Sequence, residues 1–510
     1  MRHACDRTVR AFSWAWEWLE FHPFLTLAAA WAVTAAMRLP FVRTAMEPDE
    51  GGFLMVAGQW HGQGPSLYGS QWVDRPPLLI LIFKLASVLG DNAIALRLLA
   101  LAFGLLTVTA AWWAGALINR GRGAAVGALV AAAVSSNALL DGYALTGEGI
   151  AATFVVVSCA LTLHCVYRAD RRWQQAVLAL AAGAVAALAF LVKQNFVDAG
   201  LFAVVLLTLR SRTAHRSWPR IGYGAVGLAI PLAAAAWWAH ADGPGVARLW
   251  SAIFRFRERA GEVMESSTSA APQHRFAIIV GIIIVSGLCL LLWQLVVAVR
   301  HVEGERALCI ALLTMAGYAC VSIVLGSNWW RHYLLQLTPV LAMGAALATR
   351  PAARRLRPHL VTTVALISAL VSTACLAPLE LTGRLPGRSD ATLAAWVAHA
   401  SRRNDTIMLA YGSANVIEMA HLSTPYRYAW SLPIRTRDPH LTQYVDTLRG
   451  PRAPTWLVEI GDFDWWSLDT PAFQHVRARR YHLAAKVCGH RIYLLNHHSR
   501  RLPPRPSSGC

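Results

Sequence analysis

Two adjacent carboxylates, Asp49 and Glu50, stand between Pro48 and the pair Gly51-Gly52, just after the first of many apolar runs. A carboxylate at the aqueous edge of a membrane cavity can accept a proton from an attacking hydroxyl, and partial desolvation raises its basicity toward that task. Its neighbour adds like-charge repulsion or orients a substrate hydroxyl. The same two residues read equally well as a water-exposed cap where a helix leaves the bilayer.

Four other clusters carry candidate chemistry. Asp74-Arg75-Pro76-Pro77-Leu78-Leu79 opens a short apolar run, in which the prolines fix the start of a helix and Arg75 lies at headgroup level. There its guanidinium meets a phosphate in bidentate fashion or serves as a plain anchor. Leu145-Thr146-Gly147-Glu148 leads into another run. Glu148 is suited to a substrate hydroxyl, a metal, or the N-terminus of its own helix, and Asp141 competes for the same role. Lys193-Gln194-Asn195 separates two apolar runs in a chain whose other lysines are Lys84 and Lys486. A cation there calls for an anionic partner such as a lipid phosphate, or snorkels to the interface. In Trp329-Trp330-Arg331-His332-Tyr333, the pair Arg331-His332 within interfacial aromatics suits a phosphate. No glycine-rich nucleotide loop, zinc motif or nucleophile elbow stands out.

The elements that must position these groups are membrane helices. Of the 510 residues, 56% are hydrophobic and only 15% charged, where soluble domains carry about a quarter charged residues. The net charge of +19 does not point to nucleic acid, because the arginines sit in short loops between apolar runs, as the positive-inside rule requires. Residues 1–22, with Arg2, Arg7, Arg10, Trp14, Trp16 and Trp18, read as a cytoplasmic interfacial segment and the following run as an uncleaved signal anchor.

Spans are expected at 23–41, 93–118, 124–140, 149–167, 175–192, 196–210, 221–239, 276–299, 307–325, 333–348 and 360–377, eleven in all. Loops rich in arginine follow the even-numbered spans, near 120–122, 168–172, 210–220, 300–306 and 350–357. The N-terminus is therefore expected in the cytoplasm and the C-terminus outside, in a bacterial plasma membrane. The outward loops 42–92 and 240–275 each carry a surface helix, the first over Leu78–Leu89 and the second around Trp250, Ile253, Phe254 and Phe256. After the transmembrane domain of 23–378 comes an outer α/β domain at 379–499, with a helix at 390–402 and strands at Thr406–Tyr411, Thr455–Ile460 and Ile492–Leu495. Residues 500–510 read as a disordered tail. The nine cysteines show no metal-ligand spacing. Cys488 and Cys510 are able to pair in an oxidising compartment, but no disulfide framework is indicated.

The order of these pieces resembles a GT-C membrane glycosyltransferase. The pieces are an acidic pair after the first span, Arg-Pro-Pro-Leu-Leu, Leu-Thr-x-Glu, Lys193 between two spans, and Arg-His-Tyr-Leu-Leu-Gln-Leu-x-Pro entering a late one. More narrowly, residues 23–350 are similar to the protein mannosyltransferase and lipid A aminoarabinose transferase branch. The resemblance implies an all-helical polytopic bundle of about eleven spans with a small C-terminal α/β domain. It implies an enzyme that takes a sugar from a polyprenyl-phosphate donor, with inversion, to a cell-envelope acceptor outside the cytoplasm. It makes Asp49 the catalytic base, Glu50 its positioning partner and Glu148 the second acidic site. It makes Arg75, Lys193, Arg331, His332 and Tyr333 the donor-phosphate group. Pro48 before the acidic pair and Lys-Gln-Asn in place of Lys-Gly-Pro depart from the pattern and leave sugar and acceptor open. No cofactor is required, and the acids leave room for a divalent cation. A lipid-linked-sugar flippase is the rival reading, but it would place its ionisable groups near the midplane of repeated halves. An assembly factor acting through its outer domain would leave Asp49 dispensable.

Overall fold

The computed structural model describes residues 21–60, 64–90, 92–211, 218–265, 271–326, 328–351, 357–384, 387–460, 470–506 and 510. The basic and tryptophan-rich residues 2–18, together with Arg212, Arg216, Arg354 and Arg355, lie outside the described residues.

Apolar runs in lipid must satisfy every backbone polar group internally, so they fold as helices. The helices are α1 (Pro23–Arg38), α2 (Pro48–Gly58), α3 (Pro77–Leu89), α4 (Ala93–Ser135), α5 (Gly147–Tyr167), α6 (Arg172–Val192), α7 (Asp198–Ser211) and α8 (Trp218–Ala241). They continue as α9 (Val246–Trp250), a π-helical turn Ser251–Arg255, α10 (Phe256–Glu265), α11 (Ala271–Val285), α12 (Leu288–His301) and α13 (Arg306–Leu325). A 3₁₀ turn at Arg331–Leu337 then leads into α14 (Thr338–Ala348) and α15 (Pro358–Leu381). Every one of the expected apolar runs is helical.

Among the described residues, seven helices are long and apolar enough to cross a membrane, or eight when α11 and α12, bent by 63°, count as one span. The tally differs from eleven for local reasons. The runs at 93–118 and 124–140 form one 43-residue element broken at Asn119 and Arg120, the latter with φ 36°. The runs at 196–210 and 333–348 give the short helices α7 and α14, of 14 and 11 residues.

The chain divides into two compact units. The first comprises the described parts of Met1–Pro40, Arg97–Ala234 and Pro272–Leu376, and it contains most of the apolar helices. The second gathers Phe41–Leu96, Ala235–Ala271 and Ala377–Cys510. The loop that carries the acidic pair thus folds with the C-terminal residues, a grouping that a linear division at residue 378 does not express.

Within the second unit, α15 is followed by α16 (Arg388–Ala400), β1 (Ile407–Ala410), α17 (Ala414–Met419), α18 (Ser431–Arg437), α19 (Thr442–Arg449), β2 (Trp456–Glu459), α20 (Pro471–Arg480), β3 (Tyr481–Val487) and β4 (His490–Leu495). The sheet order is β1-β2-β4-β3, with β1 parallel to β2 and the other pairs antiparallel. Its core holds Leu393, Val397, Ile407, Val416, Trp456 and Ile492, and Met55 of α2 is buried in the same cluster.

Of the expected disordered tail 500–510, residues 500–506 and 510 are described, and three of them are held. Arg500 pairs with both carboxylate oxygens of Asp405, Pro503 O accepts from Trp396 Nε1 at 3.2 Å, and Cys510 forms a disulfide with Cys488. The terminal position of this stretch points to disorder. Partners distant in sequence supply the order.

Candidate active site

The candidate groups fall into two polar centres, one inside each unit. In the second unit, Asp49 and Glu50 open a helix and do not end one. The first span stops at Phe41, and α2 begins with Pro48 at its first position, where a missing N–H costs nothing. Glu50 lies at the third position, and its Oε2 accepts from the backbone N–H of Glu47 at 2.9 Å, closing a capping box. Glu50 is 2% exposed. Asp49 projects outward, with its side chain 48% exposed.

Asp49 has two defined neighbours. Its Oδ1 accepts from Trp430 Nε1 at 3.0 Å, and its Oδ2 lies 3.9 Å from an Arg75 nitrogen. Arg75 also binds Asp74 Oδ1 at 2.9 Å and stands over the Phe53 ring at 5.3 Å. Asp74 in turn takes Arg257 of α10 at 2.5 Å, so positive and negative groups alternate from Arg257 to Asp49. Gly51 and Gly52 serve close packing. A Cβ on Gly51 would lie 2.4 Å from Asn415 Cα, and one on Gly52 would lie 2.2 Å from Trp430 Cζ2. Asn415 Nδ2 then donates to Met46 O at 3.0 Å, just ahead of the acidic pair.

The first unit brings together Asp141, Glu148, Lys193, Arg331, His332 and Tyr333. Glu148 sits in the first turn of α5 and is 4% exposed. It forms a short ion pair with Lys193, the residue that ends α6. Arg331 binds Asp141 at 2.6 Å. His332 bridges the two acids, with Nδ1 3.7 Å from Asp141 and Nε2 3.7 Å from Glu148. Burial disfavours charge on His332, but Glu148 and Asp141 outweigh it, so its affinity for a proton rises above the ordinary value. Lys193 Nζ lies 4.7 Å from the Tyr333 ring centroid, a cation–π contact. Asp141 and Glu148 therefore share one centre and do not compete for one position.

A second buried network holds the two segments that carry these cations. Gln336, on the Arg331–Leu337 turn, donates to both Asp198 oxygens at 3.1 Å. It also accepts from Asn195 at 3.3 Å and from Ser322 at 3.1 Å, while Tyr318 donates to Asn195 O at 2.7 Å. None of this was expected from sequence, although Asp198 and Gln336 inside apolar runs were the available signal.

Among the described residues, no three His, Cys, Asp or Glu side chains group to hold a metal ion.

Comparison with known proteins decides the architecture. The crystal structure of ArnT from Cupriavidus metallidurans bound to undecaprenyl phosphate superposes with a TM-score of 0.63, at 16% identity, over 92% of this chain and 97% of that one. The chain has the GT-C fold. The Archaeoglobus fulgidus oligosaccharyltransferase tethered to an acceptor peptide gives a TM-score of 0.58 at 11% identity, over 91% of this chain and 72% of that one. Residues 74–238 match the family model described as dolichyl-phosphate-mannose-protein mannosyltransferase. No curated protein matches the sequence significantly. The match at 74–238 begins at Asp74 and contains Arg75, Asp141, Glu148 and Lys193 of the GT-C chain.

Proposed function

We propose that the protein transfers a sugar from a polyprenyl-phosphate donor to a cell-envelope acceptor, with Asp49 as general base. The observation that carries this reading is the half-exposed carboxylate of Asp49, fixed through one oxygen by Trp430 in a chain of GT-C fold. An acceptor hydroxyl attacks the anomeric carbon, the bond from that carbon to the phosphate oxygen breaks, and the hydroxyl proton passes to Asp49. A base must lie opposite the leaving phosphate, so the displacement inverts the anomeric centre.

The departing polyprenyl phosphate needs preorganised positive charge. Lys193, Arg331 and His332, grouped within the first unit with Tyr333 against Lys193, are one candidate source of that charge, and Arg75, beside Asp49 in the second unit, is another. Lys193 and Arg331 are engaged with Glu148 and Asp141, so a phosphate shares them with carboxylates and does not meet bare cations. That suits the singly charged phosphodiester of the donor, whose phosphate gains a second negative charge as the anomeric bond breaks. Glu50, closed into its capping box, acts on the reaction by fixing the helix that presents Asp49.

The reading places Asp49 and the C-terminal domain outside the cytoplasm. The disulfide, which persists only under oxidising conditions, supports this. The test is transfer by the purified protein from undecaprenyl-phosphate-linked sugars to an envelope extract, with products followed by mass spectrometry. Sugar-modified acceptor with the wild type and none with Asp49→Asn is expected. Donor movement across vesicles without sugar transfer would instead mark a flippase.

A further inference from the structure

Trp430 lies 381 residues from Asp49 in sequence, beyond the sheet's first strand and the helix α17, yet its indole N–H ends on the Asp49 carboxylate. Three observations show that this contact is built. The Trp430 ring packs at 5.8 Å from Phe53, the residue four positions after Asp49. Gly52 leaves the space that the ring occupies, since any Cβ there would overlap Cζ2. Asn415, on the same domain, holds Met46 O and Asp390 at 3.0 Å each, and it lies against the missing Cβ of Gly51. The C-terminal domain therefore grips the backbone on both sides of Asp49 and one oxygen of its side chain.

We propose that Trp430 is a positioning residue for the Asp49 base, so that the C-terminal domain is an integral part of the catalytic machinery. This rests on the reading of Asp49 as general base. With Oδ1 tied to the indole at 3.0 Å, the carboxylate cannot rotate freely about its χ2 axis, and Oδ2, whose Arg75 neighbour stands at 3.9 Å and beyond hydrogen-bond reach, is the oxygen left to receive the acceptor proton. An aromatic N–H supplies direction without adding a second full positive charge beside Arg75.

The experiment compares wild type, Asp49→Asn, Trp430→Phe and a protein with β-(3-benzothienyl)alanine at position 430. The last keeps the shape of the indole and replaces its N–H with sulfur. For both 430 variants, kcat is expected to fall about tenfold or more while donor KM stays within twofold. Melting of the benzothienyl protein within a few degrees of wild type separates this from unfolding. A benzothienyl protein with wild-type kcat overturns the proposal. An active Asp49→Asn protein would instead remove the base assignment, and a wild type inactive on every donor would remove the transferase reading.

Discussion

The carboxylate of Glu50 accepts a hydrogen bond from the backbone N–H of Glu47 at 2.9 Å, while Asp49, one residue earlier, holds its carboxylate in the open. Two chemically similar neighbours are thus separated by their helical positions and by their partners, the Glu47 N–H for one and Trp430 and Arg75 for the other. At the third helical position a side chain reaches back to the cap, and at the second it projects away.

Substitutions at the two positions should therefore diverge. Glu50→Gln keeps an acceptor oxygen for the Glu47 N–H and is expected to retain transfer within a few-fold. Glu50→Ala should cost about 1 kcal/mol through loss of the cap, seen as a lower melting temperature. Asp49→Asn is expected to lower kcat by about 10²–10⁴, the range for removal of a general base, with melting unchanged. Kinetics and melting of the three purified variants check this, and equal kcat losses at both positions would contradict it.

Lys193 and Glu148 form the second relationship with a measurable consequence. Their side chains are 14% and 5% exposed. Removing one partner of a buried pair leaves an uncompensated charge and costs about 3–5 kcal/mol, whereas replacing both is often tolerated. Lys193→Ala should destabilise the protein and raise donor KM. Adding Glu148→Gln should restore melting but not donor KM, because the phosphate contact stays lost. Recovery of both in the double variant would make Lys193 a purely structural counter-ion.

Much of this arrangement is written locally in the sequence. Apolar length located the helices, and the Pro76-Pro77 start placed α3 to within a residue. The strands around Ile407, Trp456 and Ile492 were legible from β-rich runs. Strand β3 was missed because Tyr481–Val487 carries two alanines and a lysine, although Cys488-Gly489, both at positive φ, supplies the hairpin turn that marks it. The Glu47-x-x-Glu50 capping signal was also present, and it would have shown Asp49 starting a helix. Trp430 and Asn415 were not legible, since nothing local distinguishes a tryptophan that meets a carboxylate from one that fills a core. Gly51-Gly52 was ambiguous for the same reason. Only the partner side chain reveals that the pair provides clearance and not looseness.

His332 makes stability depend on pH with a definite sign. Its native proton affinity is raised by Glu148 and Asp141 against the opposing effect of burial. A group of this kind contributes stability fully below its unfolded value of 6.5, and the contribution is lost as pH rises through the raised native value. Wild-type melting should therefore decline as pH increases above about 6.5. His332→Gln should lack that decline and match the wild type only at the alkaline end. Parallel melting curves for the two proteins across this range would remove His332 from the balance.

The tail gives the opposite sign at acid pH. Asp405 is partly desolvated, which raises its proton affinity, but hydrogen bonds and charge from Arg500 bring it below the ordinary value of 3.8. Its contribution is then present above that value and lost as pH falls through the lower native one. Arg500→Ala should lower melting at pH 7 and make little difference once both proteins are acidified well below pH 3.8. The same segment is closed by Cys488–Cys510 and by Trp396 to Pro503 O. Cys510→Ser should thus lower melting of the wild-type chain more than that of Arg500→Ala, since a tail already released at Arg500 gains less order from the cross-link. Additive losses in the double variant would mean that the ion pair and the disulfide hold the domain independently.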